Sequence, residues 1–174
     1  MSTLVDTVQI REVMFADAAP LAELLNAIIA QGGTTALEEP FTPERLAEAY
    51  LIGPAVLACF VAVDPDAGQV QGFQTLGRYP NLPDDIGDIG TFARIDGKQR
   101  GVGSALFIAT RERACELGLS AIHATIRADN TGGLAFYTKQ GFRDHSVVVG
   151  VPLADGTPVD RVNMRYLLNS NENG

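Results

Sequence analysis

The chain has 174 residues, 46% apolar and 20% charged, with a formal net charge of −8. That length suits one domain with a full core rather than two, and the acidic balance argues against nucleic acid or an anionic membrane as the main partner, because both need a basic face. No apolar run approaches the roughly 20 residues that span a bilayer, and no basic-then-apolar leader opens the sequence, so a soluble, cytoplasmic protein is expected.

Residues 7–14 alternate Val8, Ile10 and Val13 with polar neighbours, which predicts a first strand. Asp17 is placed to cap a helix carrying Leu21, Leu24, Leu25 and Ile28, with Pro20 early enough to be tolerated and Gly32-Gly33 as the stop. The loop Thr34–Phe41 is acidic at Glu38 and Glu39. Thr42-Pro43 then starts a second helix, with Thr42 at the N-cap, that carries Leu46, Ala49 and Tyr50 and ends near Gly53-Pro54. Val56–Val63 is almost continuously apolar, as in a strand buried on both faces; Asp64–Gly68 is a hairpin turn and Val70–Tyr79 its partner strand. After a surface loop at Pro80–Asp85, Ile89–Ile95 is expected to be the strand that feeds a basic, glycine-bearing turn, Lys98-Gln99-Arg100-Gly101-Val102-Gly103-Ser104.

A helix follows over Gly101–Leu117, with Val102, Ala105, Leu106 and Ala109 on one face. Leu119–Ile126 reads as a strand, Asn130–Gln140 as a helix stopped at Gly141, and Ser146–Val151 with Val159–Leu168 as a closing antiparallel pair. The tail Asn169–Gly174 is expected to fray. The order β-α-α-β-β-β-α-β-α-β-β implies a single α/β (α+β) domain over residues 1–174, core 7–168, in which helices flank a mixed central sheet. Cys59 and Cys115 both sit in apolar patterns and are expected to be buried, reduced thiols.

The glycine turn is the most informative stretch. At a helix start it groups unpaired backbone N–H groups at the positive end of the helix dipole, which suits a phosphate or pyrophosphate. Gly101 and Gly103 would let the backbone approach such an anion, and Arg94, Lys98 and Arg100 form a basic patch on an acidic chain. A nucleotide-binding P-loop is disfavoured, because Gly101-Val102-Gly103-Ser104 lacks the Gly-Lys-Ser/Thr ending that reaches a γ-phosphate.

The element order and two motifs resemble the GNAT superfamily of acetyl-CoA-dependent N-acetyltransferases. The family's Gln/Arg-x-x-Gly-x-Gly/Ala signature reads Lys98 to Gly103 here, with Lys98 in place of the usual first residue. The second signature is matched by Asn130, Gly133, Tyr137 and Gly141-Phe142. The stretch containing Asn26, Gly32-Gly33-Thr34-Thr35 and Glu39-Pro40-Phe41-Thr42 looks like the phosphinothricin-type and related amino-acid N-acetyltransferases.

The resemblance implies a mostly antiparallel sheet, acetyl-CoA as cosubstrate and a small-molecule amine as acceptor. Thr91, Phe92 and Ala93 would offer backbone groups to the pantetheine arm, with an oxyanion donor near Phe92 or Ala93. Gln99, Arg100, Gly101, Val102, Gly103 and Ser104 would wrap the pyrophosphate, and Asn130 would bond the pantetheine or a neighbouring water. Tyr137 would serve the departing sulfur as acid or hydrogen-bond donor, and Asp88 would be the base. Glu38 and Glu39 are rivals for that role or binders of the amine's charge.

His123 and His145 read as structural or surface residues, and no His/Cys/Asp spacing suggests a metal. A protein N-terminal (ribosomal-protein-type) acetyltransferase and a non-catalytic acyl-CoA-binding module are the alternative readings. A homodimer is expected, since apolar terminal strands in such domains often pair or pack across a two-fold axis.

Overall fold

The computed structural model describes residues 8–97 and 99–168; Thr7, Lys98 and the 169–174 tail, which figured in the expectations above, lie outside the described residues. The strands are β1 (Gln9–Glu12), β2 (Val56–Val63), β3 (Val70–Gly77), β4 (Ile86–Ala93), β5 (Ala121–Arg127), β6 (Arg143–Pro152) and β7 (Pro158–Leu167). They form one seven-stranded sheet in the order β1-β2-β3-β4-β5-β7-β6. Every neighbouring pair is antiparallel except β4 and β5. This is the mixed, mostly antiparallel sheet that the sequence implied.

Helices cover the two faces of the sheet. On one face pack α1 (Ala18–Gln31) and α2 (Pro43–Leu46, continued by a π-helical turn Ala47–Leu51), where Leu21, Leu25, Leu46, Val61 and Phe73 make a buried cluster. On the other lie α3 (Val102–Glu116) and α4 (Thr131–Gln140), where Leu106, Phe107, Ile122, Leu76 and Phe142 make a second. The continuous apolar run of β2 serves both clusters, Val61 and Cys59 facing one and Phe60 and Ala62 the other. The second helix starts as its sequence dictates, with Thr42 Oγ1 accepting the Arg45 N–H at 3.2 Å and Pro43 at the first helical position.

Three expectations are corrected. Asp17 does not cap α1: its carboxylate accepts both guanidinium arms of Arg11 (2.8 Å each) and the Met14 N–H (2.7 Å), so it closes a 3-10 turn before the helix. The strand before the glycine turn begins three residues early, at Ile86, and ends at Ala93. Asp88 therefore lies inside it, and Arg94 turns its N–H to Gln71 O at 2.8 Å. Cys115 is exposed, because the buried stripe of α3 runs through Val102, Leu106, Phe107, Thr110 and Ala114 and leaves position 115 on the outer face. Cys59 is buried as expected, and burial beside the negative charge of Asp17 pushes its thiol up to about 12.

Candidate active site

The parallel junction of β4 and β5 is short. Only Ile86, Gly87 and Asp88 pair with Ala121, Ile122 and His123, and beyond Asp88 the two strands part. A cavity of about 720 Å³ opens there, walled by Asp88–Ala93 of β4 and Thr125–Arg127 of β5, with α4 contributing Phe136 and Tyr137. Regular antiparallel pairing with β3 fixes which backbone groups of β4 face that opening. Since Arg94 N–H bonds to Gln71 O and the register runs unbroken from Gly72↔Ala93 to Gly77↔Asp88, alternation directs the Phe92 and Gly90 N–H groups to β3. The Thr91 and Ala93 N–H groups point the other way, toward the strand that has left.

The glycine turn adjoins this opening. A second cleft of about 320 Å³ is lined by Gln99, Gly101, Val102, Gly103 and Ser104, with Lys139 of α4 on its far side, and it shares Ala93, Gly103 and Phe136 with the larger cavity. Gly101 is the N-cap of α3 at φ +73°, a left-handed conformation natural to glycine, and a Cβ there would meet nothing within 4 Å. Gly103 is needed for a different reason: its Cβ would stand 2.6 Å from the Phe136 ring, so glycine lets α4 close on α3. The first intrahelical bond runs from Ala105 N–H to Gly101 O, which leaves the N–H groups at the head of α3 without helical partners. Open space in front of Gly101, unpaired donors and the adjacent Lys139 fit a diphosphate.

Three acidic side chains of the larger cavity are displaced from their ordinary behaviour. Burial raises Asp88 to about 6. Burial also pushes the Tyr137 phenol up to about 12, against the Thr91 hydrogen bond that lowers it and with the charge of Asp88 raising it further. Tyr50, on the π-helical turn, is raised by burial and then by Asp88 and Tyr79. Asp88 is thus electrostatically linked to two phenols across one cavity. Tyr137 is held within an aromatic stack, edge-on to Phe136 and Phe142 with ring centroids at 5.0 Å in both cases, and its hydroxyl lies 2.9 Å from Thr91 Oγ1.

The structure brings Asp88, Thr91, Phe92, Ala93, Gly103, Asn130 and Tyr137 around one cavity and Gln99, Gly101, Val102 and Ser104 around the cleft that continues it. Arg100 is exposed beside the turn and is not among the cleft residues. Asn130 is engaged within the protein: its Oδ1 accepts the Gly133 N–H at 2.9 Å as the cap of α4, and its Nδ2 donates to Thr34 O at 2.9 Å. Glu38 and Glu39 are not among the lining residues; Glu38 Oε2 accepts the Ala154 N–H at 2.8 Å and so ties the α1–α2 loop to the β6–β7 turn. His123 is buried, its Nδ1 accepting from Arg165 Nε at 3.1 Å, while His145 is exposed.

Several lining residues were not anticipated. Arg127 donates to both oxygens of Asp129 (2.9 and 2.7 Å) and to Thr35 O (3.2 Å), drawing the α1–α2 loop against the end of β5. Arg78 and Tyr79, just past β3, and Tyr50 complete the polar wall. For Arg127 a signal existed, since the carboxyl end of a parallel-paired strand is a common place for ligand contacts. Tyr50 and Arg78 carried none, because only the folded packing of the π-helical turn against β3 brings them together, as in the Thr75 hydroxyl donating to Tyr50 O at 2.6 Å.

Comparison with known proteins agrees with this architecture. Residues 23–142 match the family model described as Acetyltransferase (GNAT) family. By sequence, no curated protein matches the chain. Among solved structures, a GNAT superfamily phosphinothricin acetyltransferase from Sinorhizobium meliloti, in complex with acetyl-CoA, superposes with a TM-score of 0.80 at 19% identity, covering 97% of this chain and 92% of that one. A GCN5-related N-acetyltransferase from Kribbella flavida gives 0.79 at 24% identity over 93% and 98% of the two chains. A ribosomal-protein-alanine N-acetyltransferase from Brucella melitensis gives 0.77 at 20% over 92% and 99%.

Proposed function

The chain belongs to the GNAT acetyltransferase family, and from that premise we propose that it transfers the acetyl group of acetyl-CoA to the primary amine of a small amino acid or amino-acid analogue by direct attack in a ternary complex. The observation that carries the proposal is the continuity of the glycine-turn cleft with a cavity bearing both Asp88 and the Tyr137 hydroxyl. The diphosphate would lie against the N–H groups at the head of α3 and Lys139, and the pantetheine arm between the parted strands, along the free backbone groups of Thr91 and Ala93. Of the two expected oxyanion donors, Phe92 and Ala93, the Ala93 N–H is the one this reading takes, because pairing with β3 uses the Phe92 N–H.

Asp88, ionised above about pH 6, accepts a proton from the incoming ammonium group. The free amine attacks the thioester carbon, the carbonyl oxygen gains charge in front of the Ala93 N–H, and the C–S bond breaks as the amide forms. The surplus proton on nitrogen passes to solvent, from which the departing thiolate is protonated. Tyr137 meets the departing sulfur. A phenol near 12 does not hand a proton downhill to a thiolate whose conjugate acid titrates at about 8.5, so Tyr137 works by donating a hydrogen bond to the charge as it develops.

The choice of an amino acid rests on the wall chemistry. Apolar Ile28, Leu37 and Ile126 share the cavity with Asp88, and Arg78 contributes a cation whose one ion pair among the described residues is a loose 3.7 Å contact with exposed Asp84, whereas Arg127 is committed to Asp129 and Thr35. An ammonium at Asp88 with a carboxylate toward Arg78 fits that arrangement. A two-fold dimer belongs to the same proposal, supported by the exposed Val147, Val148 and Val149 on edge strand β6; sedimentation velocity tests it.

The test of the main reading is a thiol-release screen with acetyl-CoA against amino acids including L-phosphinothricin, polyamines, aminoglycosides and short peptides. Turnover is expected with an α-amino acid, and Tyr137→Phe should lower kcat by about a hundredfold. Calorimetry that finds no association with CoA, or a Tyr137→Phe enzyme as fast as the parent, overturns it. Turnover of peptides alone would transfer the reading to a protein N-terminal acetyltransferase.

A further inference from the structure

Tyr137 can meet a sulfur only if its proton points into the cavity, and one side-chain chain outside the family motifs controls that direction. Gln74, on β3, is fully buried, and its Nε2 donates to Thr91 Oγ1 at 2.9 Å; Thr91 Oγ1 in turn lies 2.9 Å from the Tyr137 hydroxyl. The three residues are brought into line by the sheet, since Gln74 and Thr91 face each other across β3 and β4 in a non-hydrogen-bonded pair, whose side chains stand closest. Gln74 Oε1 is buried with no partner among the described residues, so this amide makes a single side-chain contact, the donation to Thr91.

A threonine hydroxyl has one proton and two lone pairs. The Gln74 N–H occupies one lone pair. If Tyr137 donated to the other, the Thr91 proton would be left without an acceptor, because Thr91 Oγ1 has no other side-chain partner among the described residues. Without a ligand either direction leaves one hydroxyl proton with no protein acceptor, but with a sulfur in the cavity only the directed arrangement pairs every donor: Gln74 N–H to Thr91 oxygen, Thr91 O–H to Tyr137 oxygen, Tyr137 O–H to sulfur. The Tyr137 proton is then free for the cavity. In the reverse direction it would be held by Thr91 and withheld from the substrate.

We infer that Gln74 and the Thr91 side chain are positioning residues that orient the Tyr137 hydroxyl as a donor toward the departing sulfur. The inference rests on the proposed role of Tyr137. It also gives the Thr91 side chain a task separate from its backbone, which faces the parted strands. Donation from Thr91 stabilises negative charge on the phenol oxygen, in keeping with the lowering effect of that hydrogen bond on a phenol otherwise raised by burial. No proton is transferred along this line: Gln74, Thr91 and Tyr137 keep theirs, the phenol donates only a hydrogen bond to the sulfur, and the departing thiolate takes its proton from solvent.

The test is a double-mutant cycle on kcat for thiol release from acetyl-CoA, using whichever amine of the screen above is turned over fastest. Thr91→Val keeps the size and the backbone and should lower kcat about tenfold, Gln74→Met about threefold, with KM for acetyl-CoA within twofold of the parent; Thr91→Ser should restore most of the rate. In a Tyr137→Phe background the same substitutions should change kcat by less than twofold, because no phenolic proton remains to orient. Equal losses in both backgrounds would mean that Gln74 and Thr91 only hold the strands in place, and the inference would be wrong while the role of Tyr137 stood. No loss from Thr91→Val in the parent also overturns it. If Tyr137→Phe itself costs nothing, or no amine is turned over, the proposed function fails and the inference with it.

Discussion

Asp17 at the entry to α1 and Asp88 on β4 are both withdrawn from water, and their surroundings treat the charge in opposite ways. Asp17 is 5% exposed and receives Arg11 through both carboxylate oxygens together with the Met14 N–H, which hold it below the usual aspartate range. Asp88 has no hydrogen-bond or ion-pair partner among the described side chains, and desolvation alone carries it to about 6. The first arrangement fixes a chain direction. The second holds a half-buried, destabilised charge in the wall of a cavity, and unpaired, desolvated carboxylates of that kind gather at functional sites.

The sharpest way to break the contrast is to remove each charge without changing shape. Asp88→Asn should lower kcat/KM by about a hundredfold or more, and should raise Tm by a few degrees because an uncompensated charge has been removed. A loss of both activity and stability would place Asp88 with Asp17 as a structural group. Asp17→Asn should do the reverse. It leaves Arg11 without its buried partner and is expected to cost about 3 kcal/mol in denaturant unfolding, while turnover measured well below Tm stays within twofold.

The two carboxylates also predict opposite pH slopes. The Asp88 pKa in the fold is above its unfolded value of about 3.9, so its contribution to stability is full below that value and is lost as pH rises through about 6. The Asp17 pKa is lowered, so its contribution is present above the unfolded value and lost as pH falls through the folded one. The fall in unfolding free energy that Asp88 contributes between pH 4 and pH 7 should therefore be absent in Asp88→Asn, and kcat/KM should show an acid limb near pH 6 that the variant lacks. The smallest effect concerns a part remote from both. Thr42→Ala removes the cap of α2 and should cost about 1 kcal/mol with no change in either slope.

Much of this was legible in the sequence. The apolar periodicities, the Thr42-Pro43 start and the glycine stops placed every strand and helix in order, and the two motifs located the turn and Tyr137. Boundaries failed where functional residues interrupt the pattern. Gly87 and Asp88 are poor strand formers, so β4 looked as if it began after them, although pairing with β3 and β5 holds them in the sheet. The same interruption left Asp88 to be named by the family resemblance alone, since the pattern gave no sign of a carboxylate inside a strand. The buried stripe of α3 was readable at Val102 and Leu106, and carrying its spacing through Thr110 and Ala114 would have put Cys115 outside. The Gln74–Thr91–Tyr137 line was beyond reach, because it depends on the β3–β4 register and on how α4 meets the parted strands, neither of which leaves a local trace.

Carbon-13 NMR titration of the aspartate carboxyl groups tests the contrast most directly. One resonance should titrate near pH 6 and vanish in Asp88→Asn, and another should titrate below the ordinary aspartate value and vanish in Asp17→Asn. An Asp88 resonance with its midpoint near 4 would contradict the account, since a carboxylate so comfortable in its ionised form would not be the desolvated base proposed for this site.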